Sequence, residues 1–145
     1  MGDSDEVVEA ALTNDYPSAD IHRNDEALGS WVCTLTKYFS GEEFDLNLPV
    51  DVRATAFQWK VWREIQSVPY GNTTTYSKIA NALNEPDSAR AVARACATNP
   101  VSILIPCHRV IGEDGGLHGY RWGKKRKHAL LALEQTAHRE TVKVV

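Results

Sequence analysis

Apolar residues in this chain recur at helical spacing far more often than they alternate. Leu28, Trp31, Val32, Leu35, Tyr38 and Phe39 follow one another at three- and four-residue intervals between Asn24 and Gly41, which ends the run. The spacing predicts a helix, and its aromatic stripe is expected to be core. Ahead of it, residues 7–12 form only a weak helical stretch before the turn-like Asn14-Asp15-Tyr16-Pro17. Residues 44–52 read as an extended linker in which Leu46, Leu48 and Val50 alternate with polar neighbours. Thr55-Ala56-Phe57-Gln58 then has the form of a capping box, in which hydroxyl and amide satisfy the free donors of a helix start. The helix it opens carries Phe57, Val61, Trp62 and Ile65 on one face, and Pro69-Tyr70-Gly71-Asn72 reads as a turn.

Two shorter helices follow. Thr75 can cap one that carries Ile79, Ala80 and Leu83; Asp87 or Ser88 can cap a second through Val92, Ala93 and Cys96 to about Thr98. Helices joined by a tight polar turn make a helix-turn-helix candidate. The second presents Arg90 and Arg94 at i, i+4 among Ala89, Ala91, Ala93, Ala95 and Ala97, a low surface with two positive charges that suits a DNA groove. Residues 101–105 are expected to be a short buried strand or extended run. After Pro106-Cys107-His108-Arg109 and Val110-Ile111 comes a glycine-rich turn over residues 112–119. Basic residues 124–127 open a last helix through Leu130, Leu131 and Leu133 to Glu134, and the tail from His138 is expected to fray.

Length and composition narrow this to one domain, or one domain with a smaller packing partner. A hydrophobic content of 43% excludes wholesale disorder, and no apolar run reaches the roughly 18 to 20 residues that cross a bilayer. The acidic start MGDSDEVVEA fits neither a secretory signal nor a basic transit peptide, so a cytoplasmic location (nuclear in a eukaryote) is expected. Cys33, Cys96 and Cys107 form no Cys-x-x-Cys pair and are odd in number, which points to free thiols in a reducing compartment. Adjacent Cys107 and His108 make a poor pair of ligands for one zinc, and no metal or cofactor is expected.

Charge distribution changes the picture more than net charge does. The net of −3 argues against nucleic acid, yet residues 1–51 hold 12 acidic and 2 basic residues while residues 52–145 hold 7 acidic and 14 basic. A basic module behind an acidic third is the asymmetry of a DNA-binding unit joined to something else.

The candidate chemistry lies at Cys107. Cys33 and Cys96 read as small buried hydrophobes. Cys107 instead stands between a proline that fixes the backbone and an imidazole and guanidinium that can favour thiolate. Neighbouring side chains rarely meet directly, so His108 would act through a bridging water, oriented by a carboxylate for which Glu134 is the best-placed candidate.

The run NPVSILIPCHRV, residues 99–110, resembles the active-site signature of the O6-alkylguanine-DNA alkyltransferases. The order of TTYSKIA, ARAVA, GLHGYRWG and HALLALE is similar too, over residues 50–135, and DVRATAFQWKVW and GYRWGKKRK bring the chain nearest to the alkyltransferase domain of bacterial adaptive-response proteins. The resemblance implies an α+β fold: a mostly helical, winged-helix-like module over residues 52–137, a flexible tail over 138–145, and residues 1–51 as the truncated remnant of a ribonuclease-H-like domain. It implies a monomer acting on double-stranded DNA that contains O6-alkylguanine, with no membrane partner. A base is rotated out of the duplex and its alkyl group passes irreversibly to Cys107. His108 would take the thiol proton through water, Glu134 would hold the imidazole, and Asn99 would bind backbone in the active-site turn. Tyr76 would press on the target phosphate and donate a proton to the leaving base. Arg90 would fill the gap in the base stack, with Ala89 and Arg94 also facing DNA. Val110, Tyr120, Arg121 and Trp122 would line the pocket. Activity on O4-alkylthymine is left open. The rival readings are an alkyltransferase-like damage-recognition protein without catalysis, a helix-turn-helix transcription regulator and a cysteine hydrolase.

Overall fold

The computed structural model describes residues 2–143, with side chains through residue 139. In chain order the elements are α1 (Asp5–Asp15), α2 (Asp25–Ser40), α3 (Ala56–Gln66), β1 (Thr74–Thr75), α4 (Tyr76–Ala82), α5 (Ala89–Ala97), β2 (Val110–Ile111) and α6 (Lys124–Lys143). Single 3-10 turns stand at Pro86–Ser88 and Cys107–Arg109. The fold is mostly helical with one small parallel sheet, in which Thr74 lies opposite Val110 and Thr75 opposite Ile111.

Local chemistry sets the helix ends. Asn24 Oδ1 accepts from Ala27 N at 2.9 Å to start α2, and Gly41, at φ 77°, closes it through bonds to the Lys37 and Tyr38 carbonyls. The capping box at α3 is complete: Gln58 N donates to Thr55 Oγ1 at 3.2 Å and Thr55 N to Gln58 Oε1 at 2.8 Å. The Thr75 hydroxyl caps α4. At α5 the expected side-chain cap is absent. Ser88 makes no such bond, and the proline-led 3-10 turn delivers the chain into the helix instead.

α3, α4 and α5 pack on one another around Val61, Trp62, Ile65, Ile79, Ala80, Val92 and Cys96. Trp62 buries its ring and donates Nε1–H to the Ala95 carbonyl at 3.0 Å, so its polar atom costs nothing in the core. Each fully buried side chain of this size stabilises the fold by about 1.5–3 kcal/mol. The short sheet sets the N-terminus of α4 beside the Cys107 turn, which is how Tyr76 and Cys107, distant in sequence, come to share one site.

Four expectations are corrected. Residues 101–105 form turns and one isolated bridge between Ser102 and Ile105, because Ile103 at φ 80° folds the chain back. The α2 stripe is not core: Tyr38 is 1% exposed, but Leu28, Trp31, Val32 and Phe39 are each more than 40% exposed, since no described element covers that face. Cys33 is exposed on the same helix, whereas Cys96 is buried as expected. α6 continues to Lys143, past the expected fraying point, and residues 144 and 145 lie outside the described residues. Among the described residues no helix is long and apolar enough to cross a membrane.

Candidate active site

Cys107 begins the 3-10 turn between Pro106 and β2 and is almost wholly buried. The backbone before it is held by Asn99, itself fully buried. Its amide Nδ2 donates to the Ile105 carbonyl at 2.8 Å and to Cys107 Sγ at 3.2 Å, while Oδ1 accepts from Val101 N at 2.9 Å. One side chain thus staples both ends of the loop and touches the sulfur. The loop needs the staple, because Ile103 is a β-branched residue in left-handed backbone, a strain of about 1–3 kcal/mol.

His108 and Arg109 turn away from the sulfur toward α6, where both meet Glu134. His108 Nε2 lies 2.6 Å from Glu134 Oε1, and Arg109 Nε donates to Oε2 at 3.0 Å. Tyr38 Oη donates to Oε1 and Gly71 N to Oε2 at 3.0 Å, while Arg109 Nη1 donates to the Val68 carbonyl at 2.6 Å. Burial would raise the Glu134 carboxyl, but the bonds from His108, Arg109 and Tyr38 outweigh it and bring it down to about 2. A carboxylate can only accept, so Nε2 of His108 carries the hydrogen and Nδ1 the lone pair. Burial holds His108 below its ordinary value, against the pull of Glu134, so the ring is neutral near pH 7.

This corrects the expected role of the guanidinium. Arg109 is neutralised by Glu134 and does not serve the thiol; burial pushes Cys107 up, opposed by the Asn99 bond and by the charge of Lys127. Cys107 therefore rests as a thiol.

The other expected residues fall into two groups. Val110 and Tyr120 are buried in the same core cluster as Cys107. Tyr76 is there too, its Oη donating to the His118 carbonyl at 2.9 Å, and burial pushes that phenol up to about 12, so it keeps its proton. Trp122 packs on the cluster edge and borders a hollow shared with Pro100, Val8 and Leu12 of α1. Arg121 lies against the Trp122 ring and pairs with Asp15 of α1. Arg90 and Arg94 project from α5 into solvent, with Ala89 half-buried at its start. Tyr38, Gly71 and Lys127 were not anticipated as parts of the site. Tyr38 sits in a stripe that reads as plain core, and Lys127 in the basic run that opens the last helix.

Comparison with known proteins places these features. The family model described as the DNA binding domain of 6-O-methylguanine DNA methyltransferase matches residues 56–136. The chain is 42% identical over 134 residues to the bifunctional transcriptional activator/DNA repair enzyme Ada of Escherichia coli, across 92% of this chain and 38% of that protein. It is 42% identical over 125 residues to the inducible methylated-DNA–protein-cysteine methyltransferase of Bacillus subtilis, across 86% of this chain and 70% of that one. The crystal structure of Mycobacterium tuberculosis OGT in complex with DNA superposes with a TM-score of 0.73 at 44% identity, covering 75% of this chain and 68% of the other.

Proposed function

The chain belongs to the 6-O-methylguanine DNA methyltransferase family, and from that premise we propose that it repairs DNA by moving an alkyl group from O6 of guanine to Sγ of Cys107. The observation that carries the proposal is the buried Cys107 thiol, bonded by Asn99 and followed by a neutral histidine locked to Glu134. Nδ1 of His108 takes the thiol proton through a water, and the resulting imidazolium is stabilised by Glu134. The thiolate attacks the alkyl carbon, the C–O6 bond breaks as the C–S bond forms, and the phenol of Tyr76 supplies a proton to the leaving base. Val110, Tyr120, Arg121 and Trp122 border the space for the flipped base. A thioether is not hydrolysed, so each chain acts once.

On the DNA side, α4 and α5 serve as a winged-helix-like reading unit, with Ala89 and Arg94 toward the backbone and Arg90 in the vacated stack. Residues 52–137 form this catalytic and DNA-binding unit, which acts as a cytoplasmic monomer. Residues 1–51 stand as the helical end and linker of a ribonuclease-H-like domain, a reading supported by the apolar α2 face that nothing in the described residues covers.

Incubation with a duplex bearing O6-methylguanine, followed by peptide mass analysis, should place one methyl on the Cys107 peptide. A methyl on Cys33 or Cys96, or on none, refutes the proposal. Arg90→Ala separates extrusion from chemistry. Unstacking costs on the order of a few kcal/mol and only a duplex must meet that cost, so repair of duplex DNA should slow by about 10- to 100-fold while transfer from free O6-methylguanine base is unchanged. Equal slowing on both substrates would assign Arg90 to the fold or the chemistry.

A further inference from the structure

Lys127 lies in the run Lys124-Lys125-Arg126-Lys127, yet its side chain is fully buried. Two features of its position disfavour an ammonium. It sits in the first turn of α6, where the helix dipole repels cations, and burial pulls its charged form down. Among the described residues no carboxylate pairs with it. Its partners are instead two backbone carbonyls: Nζ donates to Val110 O at 2.6 Å and to His118 O at 3.1 Å, with the Tyr76 ring centroid 5.9 Å away.

Those two carbonyls bracket the segment that needs an anchor. Val110 follows the Cys107–Arg109 turn directly and starts β2. His118 ends a stretch containing Gly112, Gly115 and Gly116 and immediately precedes Gly119-Tyr120, where Gly119 has φ 38°. Glycine-rich backbone of this kind loses most on ordering, and the turn's own bonds, Gly112 N to Gly116 O at 2.9 Å and Gly115 N to Gly112 O at 3.0 Å, shape it locally without tying it to the Cys107 side of the site. The Tyr76 hydroxyl donates to the same His118 carbonyl, so α4, α6 and the glycine-rich loop converge on one oxygen.

We propose that Lys127 is the positioning residue of the alkyl pocket: its buried ammonium ties the loop at His118 to the strand at Val110, fixing Tyr120 and Tyr76 in register with Cys107. This rests on the alkyl-transfer reading and adds a residue to it. Lys127 touches neither substrate nor sulfur in this role. It sets the distance across which the flipped base meets the thiol, and misplacement of a bound group by about 1 Å can slow a reaction about 100-fold.

The test compares Lys127→Met and Lys127→Arg with wild type, measuring duplex affinity and the rate of methyl transfer to Cys107 at saturating protein. Methionine fills the buried volume without donors; arginine keeps donors for both carbonyls. Lys127→Met should lose about 10- to 100-fold in transfer rate with duplex affinity within about twofold, and Lys127→Arg should recover most of the rate. A residue that merely fills space predicts the opposite order, methionine at least as active as arginine. Iodoacetamide labelling of Cys96 against exposed Cys33 reports folding. If Lys127→Met labels both alike, Lys127→Arg decides alone: a rate within about threefold of wild type supports the role, and a loss of about 100-fold with Cys96 still protected overturns it. Lys127→Met transferring at the wild-type rate also overturns it. Failure of wild type itself to methylate Cys107 would instead refute the alkyl-transfer reading.

Discussion

Cys107→Ala should abolish alkyl transfer and leave duplex binding within about twofold of wild type, because on the proposed reading affinity comes from phosphate contacts and the helix in the groove. The substitution removes one sulfur from a buried turn. Asn99 keeps its bonds to Ile105 O and Val101 N, so the loop retains its staple. The loss in stability is then that of a small buried group, about 1 kcal/mol. Residual transfer in this variant, measured as methyl lost from the duplex, would mean that another nucleophile does the work. Cys96 could not take over easily, since burial raises its thiol far above the ordinary value.

Glu134→Gln should lower the transfer rate by about 10²- to 10⁴-fold and destabilise the fold as well. Glutamine has the same shape but exchanges one acceptor oxygen for an N–H₂, which faces the donors of Tyr38, His108 and Arg109 if it takes the Oε1 position and those of Gly71 and Arg109 if it takes the Oε2 position. In either orientation the neutral amide no longer stabilises the imidazolium that forms when His108 takes the thiol proton, and with the N–H₂ at the Oε1 position the ring must also carry its hydrogen on Nδ1, which removes the base. The amide also strands the buried Arg109 charge, a loss of about 3–5 kcal/mol. Rates must therefore be scaled to the folded fraction, and an unchanged scaled rate would reduce Glu134 to a structural residue. A pH titration gives a second reading. The folded carboxyl lies at about 2 against an ordinary 4.5, so its stabilisation is complete above 4.5 and is lost as pH falls toward 2. That amounts to roughly 3 kcal/mol in wild type and is absent from Glu134→Gln. Equal acid sensitivity in the two proteins would contradict the assignment.

Much of this site was legible because its chemistry is compressed into one run. Asn99, Cys107 and His108 lie within ten positions, and the resemblance fixed their order. The capping box at Thr55 and the stop at Gly41 were legible because caps are local. What failed depends on contacts distant in sequence. Periodicity shows that α2 has an apolar face but not what covers it, so the stripe reads as core although Tyr38 alone of its residues is fully buried. Two-residue strands such as Thr74–Thr75 carry no pattern of their own; they exist because Val110–Ile111 lies alongside. Arg109 looked like a partner for its neighbour Cys107, and only the approach of α6 shows that Glu134 claims it. Lys127 and its exposed neighbours share a residue class and differ only in burial.

The central claim is that Cys107 accepts the alkyl group and keeps it. It is tested most directly by titrating a fixed amount of protein with increasing excess of O6-methylguanine duplex and counting restored guanines per chain. The account predicts a plateau at one guanine per chain, matched by one methyl on the Cys107 peptide. Repair that continues in proportion to added substrate, or a plateau reached with Cys107 unmodified, would contradict it.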